Sequence, residues 1–374
     1  MTLPALFSPF QLGGLTLANR IAVAPMGQNR ARAGLVTPWH LQHLGSLAVS
    51  DPGVLIMESG AVEALGAGSV GAISLYNDAQ EAAMAALVRD IRSFSSTPLG
   101  MQIVHCGRKI PNVELAGVRD ELGLDTMDTF GPSAVGFGTG HQEPRELSRD
   151  DLKRLVASFA SSAERAMRCG FDLMEIHAAH GYLLHEFYSS LSNLRTDEDG
   201  GSLANRLRFP LEVAEAVRRV WPRDRALGMR INCIDYVSGD ITVDEAVALG
   251  CELRGLGFDY ICVTSGSIVS RGQMPPAKPG YLVPVARRMR EEAGLPVMVV
   301  GMIVDPRQAD AVIAEGHADM AGIARAFIDD PRWVWHAAER LGVKVDYPAS
   351  YERAHAALWP GTPLARNIFT AADG

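Results

Sequence analysis

Short apolar runs rich in β-branched residues recur along this chain, each too short to be an independent helix, and most are followed by a segment of helical periodicity. In chain order they occupy 21–26, 53–60, 98–105, 171–178, 226–233, 260–266, 296–303 and 320–325. Their hydrophobicity is nearly continuous rather than alternating, which suits parallel strands covered on both faces. Between them, 79–94 carries Ala, Met, Leu, Val and Ile at helical spacing, and 207–220 and 283–292 read the same way. Ser148 to Asp151 and Thr242 to Glu245 have the form of capping boxes, and Asp305-Pro306 opens a helix running to Gly316. Eight strand–helix units with no compositional break predict a closed (β/α)8 barrel rather than a long doubly wound sheet. Such barrels need about 250 residues. The surplus in a chain of 374 is expected in an extended loop region after the third strand, 106–146, and in a C-terminal tail, about 345–374. The whole of 1–374 is expected to form a single α/β domain.

Composition narrows the function by exclusion. A formal charge of −8 disfavours nonspecific binding to nucleic acid or an anionic membrane, both of which need a basic surface. The five cysteines (Cys106, Cys169, Cys233, Cys251 and Cys262) contain no C-x-x-C, so a zinc ribbon or iron–sulfur cluster has no support. The first ten residues lack the pattern of a signal peptide, and no apolar run reaches membrane-spanning length. A cytoplasmic enzyme with buried free thiols is the expectation.

Barrel enzymes place their chemistry at the carboxyl ends of the strands. Polar groups end several of these otherwise apolar runs: Glu58-Ser59-Gly60, Gln102 to His105, His177 to Tyr182, Arg230, Ser265-Gly266 and Arg325. His177 and His180 are three apart and project from one side of a turn. Two such imidazole N–H groups grip a carbonyl, nitro or phenolate oxygen as an oxyanion hole does, and Tyr182 adds a phenolic proton donor. Two plainer readings stay open on these residues alone. One is a hydrogen-bonded loop pair; the other is a metal site completed by Glu175 or Glu186, although no H-E-x-x-H is present and Glu175 is expected to point away. Gly66 to Gly71 matches G-x-G-x-x-G but leads into Ala72-Ile73-Ser74-Leu75-Tyr76, not a helix, so a glycine-rich loop is the reading. Gly301 and 322–325 lie after strands seven and eight, where barrels hold phosphate.

Several blocks resemble the Old Yellow Enzyme family of FMN-dependent oxidoreductases, in particular its bacterial, thermophilic-like branch. They are Leu6 to Pro9, Leu15 to Met26, Gln102 to Lys109, Glu175 to Phe187, Leu191 to Asp197, Gly200 to Ser202 and Asn205-Arg206. The resemblance implies a TIM barrel with FMN at its carboxyl mouth. It implies that Ala24, Pro25, Met26 and Gly27 line the isoalloxazine with Gly60 nearby, that Gln102 binds the pyrimidine edge, and that Arg230 sits near N1. Gly301, Ala324 and Arg325 would bind the phosphate; His177 and His180 would hold the substrate oxygen; Tyr182 would donate the proton. The implied reaction is ping-pong: NADPH or NADH reduces the flavin and leaves, then an activated alkene is reduced.

Tyr351-Glu352-Arg353 resembles the branch's tail, implying that Arg353 reaches a neighbouring subunit in a homodimer or larger homo-oligomer. No metal, nucleic-acid or membrane partner is implied. The chain departs from the branch at Gly27, where cysteine is usual, and at Asn29, Ser190, Asp199 and Ala324. Rival readings are a flavin-dependent dehydrogenase, isomerase or nitro-reductase on the same barrel, a metal-dependent barrel hydrolase, and a barrel that only binds a ligand.

Overall fold

Eight parallel strands close on themselves in the computed structural model, which describes residues 3–122, 128–270 and 275–370. They are β1 (Ile21–Val23), β2 (Val54–Ala61), β3 (Leu99–Val104), β4 (Leu173–Ala178), β5 (Ala226–Ile234), β6 (Tyr260–Ser265), β7 (Val297–Val299) and β8 (Met320–Ile323). Neighbours in sequence are neighbours in the sheet, and closure is made by β8 against β1, with Ala321, Gly322 and Ile323 opposite Ile21, Ala22 and Val23. The chain is a (β/α)8 TIM barrel. Every residue of β3, β4 and β6 is buried, the physical counterpart of their unbroken apolar runs.

The helices begin where their side chains can cap them. Ser148 accepts the Asp151 N–H at the start of Arg149–Cys169, and Thr242 accepts the Glu245 N–H at the start of Val243–Leu256. Both end on a left-handed glycine, Gly170 and Gly257. Asp305 caps Pro306–Ala314 as its sequence predicts. The helical pattern over 283–292 divides into Val283–Arg288 and a π-helical turn, Met289–Ala293.

The region after the third strand departs from the expected loop. It contains the helix Asn112–Leu122 and a two-residue ladder, Phe130–Gly131 with Arg145–Glu146; residues 123–127 lie outside the described residues. The helix exists because Leu115 and Val118, one turn apart, pack with Ile110 onto Ala61, Ala67, Val104 and Cys106 beside the barrel mouth. At the other end, the hairpin Phe10–Leu12/Leu15–Leu17 lies against the amino ends of β5 and β6. Its turn needs glycine: Gly13 has φ +56°, and a Cβ there would sit 2.4 Å from Asp259 Oδ1.

The predicted tail folds back on its own chain. Tyr347 stacks on Trp335 with ring centroids 4.0 Å apart, and Arg366 pairs with Glu339 at 2.8 Å. Among the described residues no helix is long and apolar enough to cross a membrane.

Candidate active site

The carboxyl rim of the barrel gathers most of the residues singled out by sequence. His177 is the penultimate residue of β4 and lies directly across the ladder from Arg230 on β5. After Ala178 the chain turns sharply: His180 adopts φ +58°, a left-handed conformation that costs a residue with a Cβ. It is held there from two sides. Its N–H donates to Asn232 Oδ1 at 3.0 Å, and its carbonyl accepts from Lys109 Nζ. Asn232 is fixed in turn by donating to Asp235 Oδ1 and to the Gly266 carbonyl, both at 2.8 Å.

This turn sets the two imidazoles edge-on against each other. His180 Nδ1 lies 3.2 Å from His177 Nε2, and His180 Nε2 lies 2.9 Å from Thr264 Oγ1. Burial, reinforced by the nearby cations Arg230 and Lys109, holds both rings well below the usual histidine pKa, so they are neutral at pH 7. Tyr182 caps the short helix Leu183–Tyr188, and its ring meets His177 edge-on at 4.8 Å. Its hydroxyl makes no hydrogen bond with a described residue, and the neighbouring Cys106 together with burial raises its pKa, keeping the proton on. Lys109, half-buried with its Nζ over the Tyr182 ring, is brought down to about 8 by desolvation.

Next to this cluster lies a buried cation in search of an acceptor. Arg230 is 9% exposed and makes no hydrogen bond or ion pair with any described residue; its Nε is fully enclosed and unpartnered. A buried, unpaired guanidinium is costly unless a ligand satisfies it. On β3, one strand beyond β4, Gln102 donates from Nε2 to Glu175 Oε1 at 2.6 Å, and Glu175 Oε2 accepts from the Tyr260 hydroxyl at 2.9 Å. This fixes which way the amide faces and leaves the Gln102 carbonyl oxygen for another partner.

The segment expected beneath the ring system, Ala24 to Gly27, leaves β1 with the Ala24 N–H bonded to the Ile323 carbonyl at 2.9 Å. It is braced by Glu58, which accepts the Gln28 N–H at 2.8 Å and faces His40 Nε2 at 3.3 Å. Gly60 is buried against Met101, whereas a Cβ on Gly27 would meet nothing within 4 Å. Gly27, Ser59, Gly68, Cys106 and Tyr182 share the walls of a cavity of about 240 Å³.

At the far end, Gly301 takes φ +109°, open only to glycine, and Ala324 caps the helical turn Arg325–Asp329. Arg325 is exposed and free of any ion pair among the described residues. N–H groups at a helix start beside a free guanidinium suit a phosphate. The buried acceptor-seeking Arg230, the preset Gln102 amide and this phosphate cradle are chemically suited to the ring and phosphate of FMN.

The other expectations fare unevenly. Glu175 and Glu186, the third ligands a metal reading of the histidines needs, are turned to Gln102 and Tyr260 and to the Arg108 N–H. Arg353 lies exposed in the 3-10 segment Ala349–Ala354 and makes no hydrogen bond or ion pair with a described residue. Sequence reasoning assigned no role to Glu58, Lys109, Asn232 or Thr264. For Glu58, Asn232 and Thr264 the signal was the same as for Arg230, a polar residue near the end of an apolar run, but it does not say which partner each one meets; Lys109 lies four residues past its run and carries no such signal.

Comparison with known proteins decides the family. A model of the NADH:flavin oxidoreductase / NADH oxidase family matches residues 5–343. The chain belongs to that family. It is an oxidoreductase of the Old Yellow Enzyme type, with FMN as its cofactor and a nicotinamide nucleotide as its reductant. It is 37% identical over 354 residues to an NADPH dehydrogenase of Geobacillus thermodenitrificans (strain NG80-2), covering 93% of this chain and 98% of the relative. Morphinone reductase, solved with tetrahydroNAD, superposes with a TM-score of 0.77 at 27% identity, covering 94% of each chain. A 2-naphthoyl-CoA reductase superposes with a TM-score of 0.84 over 92% of this chain and 53% of that one; at 24% identity it shows the shared fold alone.

Proposed function

We propose that this family member is an ene-reductase: it reduces the activated C=C bond of α,β-unsaturated carbonyl or nitro compounds with NADPH or NADH, by a ping-pong mechanism. The observation that carries this reading is the convergence of two neutral imidazoles, a phenol with an unengaged hydroxyl and a buried unpartnered guanidinium on one rim. Ala24 to Gly27, Gly60, Gln102, Arg230, Gly301, Ala324 and Arg325 would hold FMN, which when bound would supply the hydride transfer from the nicotinamide to the alkene. His177 and His180 bind the carbonyl or nitro oxygen and draw electron density from the β-carbon, stabilising the enolate-like charge as it develops. Being neutral, they donate hydrogen bonds without surrendering a proton. Tyr182 delivers the proton to the α-carbon, and its raised pKa keeps it in the acid form throughout the working pH range.

Arg353, exposed on the tail, completes the pocket of a second copy in a homodimer or larger assembly under this proposal. The cysteines, all free and four of them buried, suit the reducing cytoplasm. Rapid-mixing kinetics test the central claim. Tyr182→Phe should slow alkene reduction by roughly 10²–10⁴-fold while flavin reduction by NAD(P)H slows far less. Equal losses in the two half-reactions would remove Tyr182 as the proton donor, and a colourless protein that takes up no FMN would overturn the whole reading.

A further inference from the structure

His180 carries its proton on the nitrogen that faces away from an incoming oxygen. The Ala179 N–H donates to His177 Nδ1 at 3.2 Å, so the neutral His177 ring is protonated on Nε2. That N–H faces His180 Nδ1 at 3.2 Å, which therefore accepts, leaving the His180 proton on Nε2. There it meets Thr264 Oγ1 at 2.9 Å, and the hydroxyl accepts. In this state the pair has a single N–H, that of His177, to give to a substrate oxygen, and His180 Nδ1 presents a repelling lone pair. Charging the His180 ring would supply the second N–H, but burial and the neighbouring Arg230 oppose it. The remaining route moves the proton within the His180 ring from Nε2 to Nδ1 by exchange with water, with no change in the charge of the protein. The bare Nε2 then needs a donor.

We propose that Thr264 is a positioning residue that selects the His180 tautomer: its hydroxyl accepts from Nε2 in the free chain and donates to Nε2 once a substrate oxygen binds. A hydroxyl performs both roles by rotating about one bond, which neither an amide N–H nor a carboxylate does. Thr264 is buried on β6, directly across the ladder from Asn232 on β5. Asn232 and Lys109 pin the His180 backbone independently of the ring. Loss of the hydroxyl therefore shifts the proton rather than the position of His180. The inference rests on the oxygen-binding reading of His177 and His180, and it adds the group that makes two-handed binding accessible to neutral rings.

The experiment uses the FMN-loaded protein labelled with 15N-histidine, and cyclohexanone as a probe, a ketone with no alkene to reduce. Nitrogen shifts should show His180 protonated on Nε2 in the free protein and on Nδ1 at ketone saturation. Thr264→Val, nearly isosteric, should bind the ketone about ten-fold more weakly, the worth of one hydrogen bond, and should fail to make the Nδ1 form. Thr264→Ser should restore binding to within about three-fold and restore the tautomer change. Wild-type binding in Thr264→Val, or an Nδ1 proton already present in the free wild type, would overturn the role of Thr264 alone. Wild-type protein whose His177 and His180 signals ignore saturating ketone would instead overturn the oxygen-binding reading beneath it.

Discussion

Acidification should expose the cost of keeping the two histidines neutral. His177 is 4% exposed, its Nδ1 accepts a backbone N–H that an imidazolium would have to forgo, and Arg230 stands directly across the ladder. Its folded pKa is therefore depressed well below 6.5, with burial the largest cause and Arg230 the next. In the unfolded chain the same ring titrates at about 6.5. Above that pH both states hold a neutral ring, and the residue has no effect on the pH dependence. Below it the unfolded chain takes up a proton that the folded chain refuses, so stability falls as pH drops through the unfolded value, and it keeps falling until the folded pKa is reached.

For His177 the loss on going from about pH 7.5 to about pH 5.5 is on the order of 1.4 kcal/mol. His180, only half-buried, adds at most about as much again. The assay is urea unfolding at the two pH values for wild type and for the double variant His177→Asn/His180→Asn, both stripped of FMN. The wild type should lose on the order of 1.4 to 3 kcal/mol more than the variant. Equal losses would refute the reasoning, as would an NMR titration in which either ring protonates near its ordinary value.

Two further perturbations probe neighbouring groups. Arg230→Met removes the cation that both histidines feel, so NMR should show the His177 pKa moving back toward 6.5, and fluorescence titration should show FMN binding weakened by roughly 10- to 100-fold, the worth of a charge-assisted hydrogen bond; unchanged FMN affinity would mean that the guanidinium serves another partner. Gly27→Cys should alter folding stability by no more than about 0.5 kcal/mol, measured by urea unfolding, because no atom lies within 4 Å of the added Cβ; a large loss would show that the void is smaller than its walls suggest.

Much of the architecture was written in local sequence. The unbroken apolar runs located all eight strands, and Ser148, Thr242 and Asp305 marked helix starts, because strand burial and helix capping depend on residues a few positions apart. The run over 296–303 overstated β7, which stops at Val299 because the left-handed backbone of Gly301 ends the ladder. The helix Asn112–Leu122 went unread because its apolar stripe is short and its packing surface, Ala61 and Val104, belongs to two other strands.

The candidate site divides along the same line. Sequence alone determined that His177, His180 and Tyr182 stand together at a strand end, since their spacing is local, and it marked Gln102 and Arg230 as polar ends of buried strands. Tertiary structure decided what those groups do to one another. It set Arg230 across from His177 with no acceptor among the described residues, turned the Gln102 amide through Glu175, and brought Thr264, 84 residues from His180 in sequence, against its ring. Proton location and charge depend on distances of a few ångströms between different strands, and only closure of the barrel fixes those distances.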